Sequence, residues 1–457
     1  MSGKKLYNEK TMPGNQERAI VAGLVRGSTA DEIQEGRESL DELEQLAMAA
    51  GAQVVGRISQ NKQTPDPAWL IGKGKIEELK EASRKLHADT LIFDEELSGS
   101  QIRNIEEATG CKVIDRTFLI LDIFAGRARS REGILQVELA QLQYRLSRLT
   151  GLGRSLSRLG GGIGTRGPGE SKLESDRRHI NRRIQHLRQT LSRVERRRDQ
   201  TRQRRQERDI PTIAVVGYTN AGKSTLINQL CGSDLFVADQ VFATLDPSVR
   251  RLSFEDQNTI LLVDTVGLIR RLPHHLIDAF HATLEEVTEA DAILEVIDVT
   301  APDVATRMAI VEQLLVELGA GALPRFYVFN KIDLLPTPIA TADPDEIDLS
   351  PSGLPPDLSE ALAKSRGRPA FLASAATGQG IEALRQALSD YAKSRMMAMS
   401  LLLPYEQAGL VDDIRRYGHI DDLQYLPEGI KAAVHIRYSH YKMLRPYVLL
   451  EKKEEEQ

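Results

Sequence analysis

The chain has 457 residues, more than one hydrophobic core usually organises, which predicts about three domains. Apolar residues make up 41% and charged residues 27%, as in soluble globular proteins, and no apolar run is long enough to span a membrane. Cys111 and Cys231 match no metal-binding spacing, and the first residues lack the apolar core of a secretory signal. We expect a cytoplasmic protein with reduced thiols, and peripheral membrane association stays open.

The net charge of −5 conceals one strongly basic segment. Residues 175–208 contain 13 arginines and four acidic residues, a local charge of +9, so the rest of the chain is acidic. A segment with so large an excess of positive charge indicates contact with a polyanion. A solvated helix face without a binding function is the alternative.

The first ~125 residues alternate strand-like and helix-like patterns, which is typical of an α/β domain with a mainly parallel sheet. Strands are predicted at residues 18–25, 52–58, 90–94 and 112–114, and helices at 40–50, 75–86 and 101–108. The apolar content of the first two strands predicts that both are buried.

Two apolar stripes at heptad spacing follow and predict a helical hairpin. They consist of Leu135, Leu139, Leu142, Leu146 and Leu149, and of Ile180, Ile184, Leu187, Leu191 and Val194. Two such stripes can bury each other as an antiparallel coiled coil, or both can pack on a globular domain. The joining loop, residues 151–174, has eight glycines and four cations, so its backbone could approach a phosphate chain closely. A flexible linker is the plainer interpretation of this loop.

A phosphate-binding motif opens a second α/β unit. The apolar strand 212–216 leads into a loop and a helix that match GxxxxGK[ST]. In such a loop the backbone N–H groups surround the phosphates, the lysine reaches the β- and γ-phosphates, and the hydroxyl that follows it binds Mg²⁺. The predicted nucleotide contacts here are Gly217, Tyr218, Thr219, Asn220, Ala221, Gly222, Lys223, Ser224 and Thr225.

Two further segments supply candidate metal and γ-phosphate ligands. The strand 260–263 ends in Asp264, which is placed to hold Mg²⁺, and Gly267 offers its N–H to the γ-phosphate. Thr244 is the only threonine in residues 226–258 and is the third predicted Mg²⁺ ligand beside Ser224 and Asp264. The predicted catalytic residues are therefore Lys223, Thr244 and Gly267. Neighbouring nucleotide contacts are expected at Phe242, Ala243, Leu245, Thr265 and Val266.

The last two motifs select the base. The strand 326–329 delivers Asn330, Lys331 and Asp333, and the Asp333 carboxylate can accept hydrogen bonds from guanine N1–H and its 2-amino group. Because adenine lacks both donors, ATP would leave that carboxylate unpaired. The strand 370–373 is followed by the remaining predicted contacts, Ser374, Ala375 and Ala376. Together the motifs predict a GTPase.

Two positions bear on the mechanism. Leu268 occupies the place where many small GTPases have a glutamine that orients the attacking water, so we expect slow intrinsic hydrolysis that a partner accelerates. Asn220 lies where some related GTPases bind K⁺; simple packing of the loop is the alternative.

The chain resembles the HflX family of ribosome-associated GTPases. The resemblance rests on residues 161–174 (GGIGTRGPGESKLE), 69–75 (WLIGKGK), 93–95 (FDE), 242–246 (FATLD) and 264–268 (DTVGL). It implies binding to rRNA of the large ribosomal subunit through the basic helix from Arg177 to Arg208 and the loop 151–174. It also implies splitting or rescue of stalled ribosomes under stress such as heat. The alternative is a GTPase switch that regulates an RNA-modifying or signalling protein through the coiled coil.

The predicted organisation follows from these patterns. An N-terminal α/β domain covers residues 1–127, a helical hairpin 128–209, a P-loop GTPase domain 210–393 and a small α+β module 394–457. In the last module we expect a helix at 405–417 and strands at 431–437 and 446–450, and residues 335–369 form a predicted surface insertion. We expect a monomer.

Overall fold

The computed structural model describes residues 16–156, 168–206, 210–232, 248–255, 258–265, 267–268, 281–301, 303–335, 356–436 and 438–449. These residues form two compact units, the first ending at Arg193 and the second beginning at Val194. No helix in the described ranges has the length and apolarity that crossing a bilayer requires.

The first unit begins with a parallel four-stranded sheet in the order β2-β1-β3-β4. Its strands are β1 (Arg18–Val25), β2 (Gln53–Asn61), β3 (Thr90–Phe93) and β4 (Lys112–Asp115). The helices are α1 (Ala30–Ala49), α2 (Lys73–Leu86), α3 (Gly99–Thr109) and α4 (Arg116–Arg127). The predicted α/β domain with a parallel sheet is confirmed, although α4 was not predicted.

The prediction that residues 52–58 form a buried strand was wrong. Strand β2 lies at the edge of the sheet, and along it exposed residues alternate with half-buried ones. An edge strand has one neighbour only, so Arg57 and Ser59 can face solvent, whereas β1 lies between two strands and is buried along most of its length.

The predicted hairpin helices are α5 (Arg131–Leu156) and α6 (Pro168–Gln206). They lie side by side, since the Arg183 guanidinium of α6 donates through Nε and Nη2 to the Glu138 carboxylate of α5 at 2.8 and 2.9 Å. On α6 the predicted stripe is buried at Ile184, Leu187 and Leu191. On α5 the predicted leucines are only half-buried.

A second face of α5 is the more deeply buried one. It carries Val137, Ala140 and Tyr144, and the Tyr144 ring lies 5.6 Å from that of Phe118 in α4. Helix α5 therefore packs on the α/β domain as well as lying beside α6, so each of the two packing alternatives holds in part.

The second unit contains a six-stranded sheet in the order β10-β9-β8-β5-β7-β6, parallel except for β6. Its strands are β5 (Thr212–Gly217), β6 (Ser248–Ser253), β7 (Thr259–Asp264), β8 (Ala292–Asp298), β9 (Arg325–Asn330) and β10 (Ala370–Leu372). The helices are α7 (Lys223–Cys231), α8 (His281–Thr288), α9 (Val304–Glu317), α10 (Pro356–Ser365) and α11 (Ile381–Ser394). An apolar core covers each face of the sheet. The loops that follow parallel strands therefore meet at one edge, where ligands of such sheets bind.

The same unit ends in a three-stranded antiparallel sheet, which confirms the α+β module. It comprises β11 (Met397–Leu403), β12 (Gly418–Leu426), β13 (Gly429–Ile436), α12 (Leu410–Tyr417) and α13 (Tyr438–Leu444). The predicted strand 446–450 was wrong, because Arg445–Tyr447 is a 3-10 helix and Val448 forms a single bridge with Leu401. Pro446 has no N–H to give to a strand ladder, which favours this turn.

Candidate nucleotide-binding site

The loop 217–225 joins the end of β5 to the start of α7. Its two motif glycines have positive φ, +152° at Gly217 and +93° at Gly222. A Cβ at Gly217 would lie 2.3 Å from the Val296 carbonyl oxygen, and one at Gly222 would lie 2.3 Å from Asn330 Nδ2. Both conformation and space therefore require glycine at these positions, which accounts for the spacing of the motif.

Lys223 is folded back across this loop. Its Nζ donates hydrogen bonds to the carbonyl oxygens of Gly217 (3.1 Å) and Tyr218 (3.0 Å), and 7% of the residue is exposed. Burial lowers the pKa of Lys223 to about 8, with the nearby Asp264 carboxylate acting in the opposite direction. A buried ammonium group at the centre of a loop of backbone N–H groups is suited to an anionic ligand.

Two oxygen ligands lie beside the lysine. The Ser224 hydroxyl donates to Asp264 Oδ2 at 2.8 Å, and Asp264 is 1% exposed at the end of β7. The next residue, Thr265, donates its hydroxyl to the Val215 carbonyl at 2.7 Å, which fixes the chain after β7 against β5. The hydroxyl and the carboxylate are thus held next to each other.

Gly267 and Leu268 pack directly on the loop 217–225. Leu268 N–H donates to the Gly217 carbonyl at 3.1 Å, and Thr219 N–H donates to the Leu268 carbonyl at 2.9 Å. A Cβ at Gly267 would lie 2.9 Å from Thr219 Cα and 3.1 Å from Lys223 Nζ, so a larger residue would displace the loop. The Leu268 residue is 5% exposed, and its apolar side chain cannot orient a water molecule.

Asn330 connects three loops. Its side-chain amide donates to the Ala221 carbonyl at 2.8 Å and its amide oxygen accepts from Ala375 N–H at 2.9 Å. Asn330 is 2% exposed. Ser374 is buried too, and its hydroxyl oxygen accepts from Thr377 N–H at 3.1 Å. The segment 374–376 is therefore held beside the loop 217–225.

The charged residues after Asn330 are more open. Asp333 is exposed in a 3-10 helix, Ile332–Leu334, and Lys331 takes the left-handed conformation with φ +70°. The Lys331 ammonium group pairs with Asp298 Oδ2 at 2.7 Å, and Asp298 Oδ1 accepts from the Thr300 hydroxyl at 2.6 Å. Sequence reasoning missed Asp298, although an acidic residue at the end of an apolar strand could have identified it.

The remaining predicted residues divide into two groups. Asn220 and Ala376 are exposed, Thr225 is half-buried, and Tyr218 is buried with the Arg307 guanidinium carbon 4.7 Å from its ring centre. Five residues lie outside the described ranges: Phe242, Ala243, Thr244, Leu245 and Val266. The structure thus brings together the loop 217–225, Asp264, Gly267, residues 330–333 and residues 374–376.

A parallel sheet with this loop after its central strand and Asn330 beside it defines a P-loop GTPase. Three family models match the chain in order: GTP-binding GTPase N-terminal at residues 37–125, GTP-binding GTPase Middle Region at 127–205, and 50S ribosome-binding GTPase at 212–331. The chain belongs to the HflX family of GTPases, which confirms the resemblance seen in its motifs.

Several relatives cover nearly the whole chain. GTPase HflX of Caldanaerobacter subterraneus subsp. tengcongensis is 45% identical over 95% of this chain and 94% of its own. That of Lacrimispora saccharolytica is 46% identical, with 91% and 92% covered, and that of Escherichia coli 43% identical, with 82% and 83% covered. A solved GTP-binding protein of Sulfolobus solfataricus in complex with GDP aligns with 82% of this chain and 99% of its own at 26% identity and a TM-score of 0.43.

Proposed function

We propose that this GTPase binds the large ribosomal subunit, hydrolyses GTP to GDP and phosphate there, and splits or rescues stalled ribosomes under stress such as heat. The match of residues 212–331 to a family described as 50S ribosome-binding supports the partner. The observation that carries the proposal is the row of exposed arginines on α6, here called its cationic surface.

For the nucleotide, we assign the phosphates to the loop 217–225 and the base to residues 330–333 and 374–376. Lys223 already lies over the loop and would pair with the β- and γ-phosphates. Asp333 is exposed and able to accept from guanine, while the buried Asn330 positions the Ala375 N–H. Leu268 offers no group that orients water, so hydrolysis would be slow until the ribosome completes the site.

The Ser224 hydroxyl and the Asp264 carboxylate fit Mg²⁺. Both are hard oxygen donors of the type that Mg²⁺ prefers, and they lie 2.8 Å apart beside Lys223. They would hold the ion, with Thr244 as the third proposed ligand, and the ion would neutralise charge on the phosphates. K⁺ binding near Asn220 is a separate hypothesis. Asn220 is exposed in the loop 217–225 and therefore accessible to an ion.

The cationic surface of α6 consists of exposed arginines on the turns around its buried stripe. Its exposed members in the first unit are Arg177, Arg178, Arg182, Arg188 and Arg193. Within the described residues none of these five forms an ion pair, in contrast to Arg183, which pairs with Glu138. Several guanidinium groups without ion pairs along one helix favour RNA, which offers a phosphate to each of them, over a protein partner, which would offer carboxylates to only some of them.

Co-sedimentation with purified large ribosomal subunits tests this proposal. We expect binding with a non-hydrolysable GTP analogue, weaker binding with GDP, and a steep decline with increasing salt. The double variant Arg188→Ala/Arg193→Ala should bind about 10-fold more weakly and reduce the salt slope by about 2. Lys364→Ala/Arg415→Ala removes two exposed cations from the second unit and serves as the matched control. Absence of binding in every nucleotide state would refute the proposal.

A further inference from the structure

The ends of β8 and β9 bring two carboxylates and one lysine to the proposed base site. Asp298 ends β8 and lies directly opposite Asn330, the last residue of β9, in the parallel pair. Val299 N–H donates to the Asn330 carbonyl at 3.1 Å, which fixes the two chain ends against each other. Lys331 follows Asn330, and Asp333 lies two residues further on. The lysine therefore has two carboxylates in its neighbourhood, Asp298 and Asp333.

Lys331 pairs with Asp298 and not with Asp333. Its Nζ lies 2.7 Å from Asp298 Oδ2, and the exposed fractions of the lysine and aspartate side chains are 23% and 13%. The left-handed backbone of Lys331, with φ +70° and ψ +30°, begins the 3-10 helix that carries Asp333. Asp333 itself forms no ion pair with any residue that the structure describes. Its carboxylate is therefore open to an external donor.

The Asp298 carboxylate is held in one orientation by Thr300. Its Oδ1 accepts from the Thr300 hydroxyl at 2.6 Å and from the Thr300 N–H at 2.9 Å. An aspartate that bonds the backbone two residues on forms a local turn, which needs no help from the lysine. The other oxygen, Oδ2, is the one that meets Lys331. The acceptor is thus preformed, and only the lysine side chain has to be ordered to complete the ion pair.

The choice of the lysine between the two carboxylates matters for the base. Recognition of guanine requires that Asp333 accept from N1–H and from the 2-amino group. A lysine ammonium group on the same carboxylate would compete with those donors, because its charge makes the stronger hydrogen bond. Without the Asp298 carboxylate, the ammonium group would be attracted to Asp333, the next carboxylate along the chain.

We infer that Asp298 is a positioning residue for guanine selection, which holds the Lys331 ammonium group away from Asp333 and so leaves the Asp333 carboxylate unpaired for the base. Asp298 needs no contact with the nucleotide for this role, since it acts through the lysine. The inference rests on the proposed assignment of the base to Asp333 and deepens it by naming the residue that keeps this carboxylate available.

Inosine diphosphate separates this role from general support of the loop. It keeps the N1–H of guanine but lacks the 2-amino group, so the ratio of GDP affinity to inosine diphosphate affinity measures the second hydrogen bond to Asp333. The wild-type chain should prefer GDP by at least about 10-fold. A residue that only stabilised the loop would, when replaced, weaken both nucleotides equally and leave this ratio unchanged.

Asp298→Asn is a substitution of matched shape. Its amide oxygen can keep the bonds from Thr300, while its NH₂ group would face the lysine ammonium, donor against donor. The preference for GDP should fall by at least about 3-fold in this variant, because the released lysine competes with the base. Lys331→Met in the same chain removes the competing charge and should restore the preference to within about 2-fold of the wild-type value.

Glu360→Gln is the control, since it removes a carboxylate from an exposed ion pair of α10 in the same unit and should leave the ratio unchanged. Competition against a fluorescent GDP on the full-length chain gives every ratio, and retained binding shows that each variant is folded. An unchanged preference in Asp298→Asn, or no recovery with Lys331→Met, would overturn the role of Asp298. Equal affinity of the wild-type chain for the two nucleotides would refute the base assignment and this role with it. Ribosome co-sedimentation is independent of all these results.

Discussion

At the scale of single residues, the site depends on a few positions that allow no substitution. A Cβ at Gly217, Gly222 or Gly267 would lie within 3.1 Å of a backbone atom, the Asn330 amide or the Lys223 ammonium group, and Asn330 binds both neighbouring loops. These residues could be predicted from the sequence because each motif encodes a local backbone requirement. Asp298 was missed, because its contact with Lys331 joins the ends of two strands, β8 and β9, and only its place at the end of an apolar strand pointed to it.

Asp333 is the proposed selector of guanine. Replacing it with asparagine exchanges an acceptor for a donor, so GTP affinity should fall by about 100-fold, while affinity for xanthosine triphosphate should rise. Competition against a labelled nucleotide measures both changes in one assay, and ATP should compete poorly with either protein. An unchanged preference for GTP in Asp333→Asn would contradict the assignment of the base.

The pKa of Lys223 predicts proton uptake on nucleotide binding. Without phosphates the buried ammonium has a pKa of about 8, and bound phosphates raise it. Above pH 8 the free lysine is largely neutral and the bound one charged, so binding at pH 9 should take up about one proton. At pH 6.5 both forms are charged and uptake at Lys223 should vanish. Calorimetry in buffers of different ionisation enthalpy gives this number; equal uptake at the two pH values would contradict it.

At the scale of elements, α5 is held on the first unit by a buried polar cluster. Asp115, fully buried at the start of α4, accepts from the N–H groups of Leu97 (3.0 Å) and Phe118 (2.9 Å) and from the Tyr144 hydroxyl (2.7 Å). It also pairs with Arg148 of α5. The heptad leucines indicated the helix, but not this face, because Tyr144 and Arg148 become buried only through a partner distant in sequence.

Removal of this carboxylate should loosen α5. Asp115→Ala leaves several donors unpaired and removes the closer of the two carboxylates that pair with the largely buried Arg148 guanidinium, at a cost of about 3–5 kcal/mol. Tyr144→Phe removes one hydrogen bond and costs about 1–2 kcal/mol. Hydrogen exchange of α4 and α5 in the full chain should therefore accelerate much more in the first variant. Similar protection in both would show that Asp115 does not hold α5.

The strands reveal a second limit of sequence reasoning. In the two mainly parallel sheets, eight of the ten strands were predicted within a few residues, because most of them are continuous apolar runs. Strands β6 and β8 were not predicted. Strand β12 was missed, because its acidic residues and its irregular pairing at residues 420–422 obscure the alternation of polar and apolar residues along the strand. Burial of β2 was overestimated because edge position is a property of the sheet and not of the strand.

At the scale of the whole molecule, an acidic chain carries one exposed basic helix face and a GTPase site. In the first unit, the α/β domain holds α5, and α5 pairs with α6 through Glu138 and Arg183. The exposed arginines of α6 therefore belong to an ordered body, and a rigid row of cations binds a polyanion at a lower entropic cost than a mobile one. We accordingly expect ribosome binding and the ribosome-stimulated part of GTP hydrolysis to depend on the same arginines.

GTP turnover with and without large ribosomal subunits tests the account most directly. The chain alone should hydrolyse GTP slowly, and saturating large subunits should accelerate turnover at least about 10-fold. In Arg188→Ala/Arg193→Ala, half-maximal stimulation should require more subunits while intrinsic turnover stays the same. Turnover that large subunits leave unchanged, measured at low salt with the wild-type chain, would contradict the account.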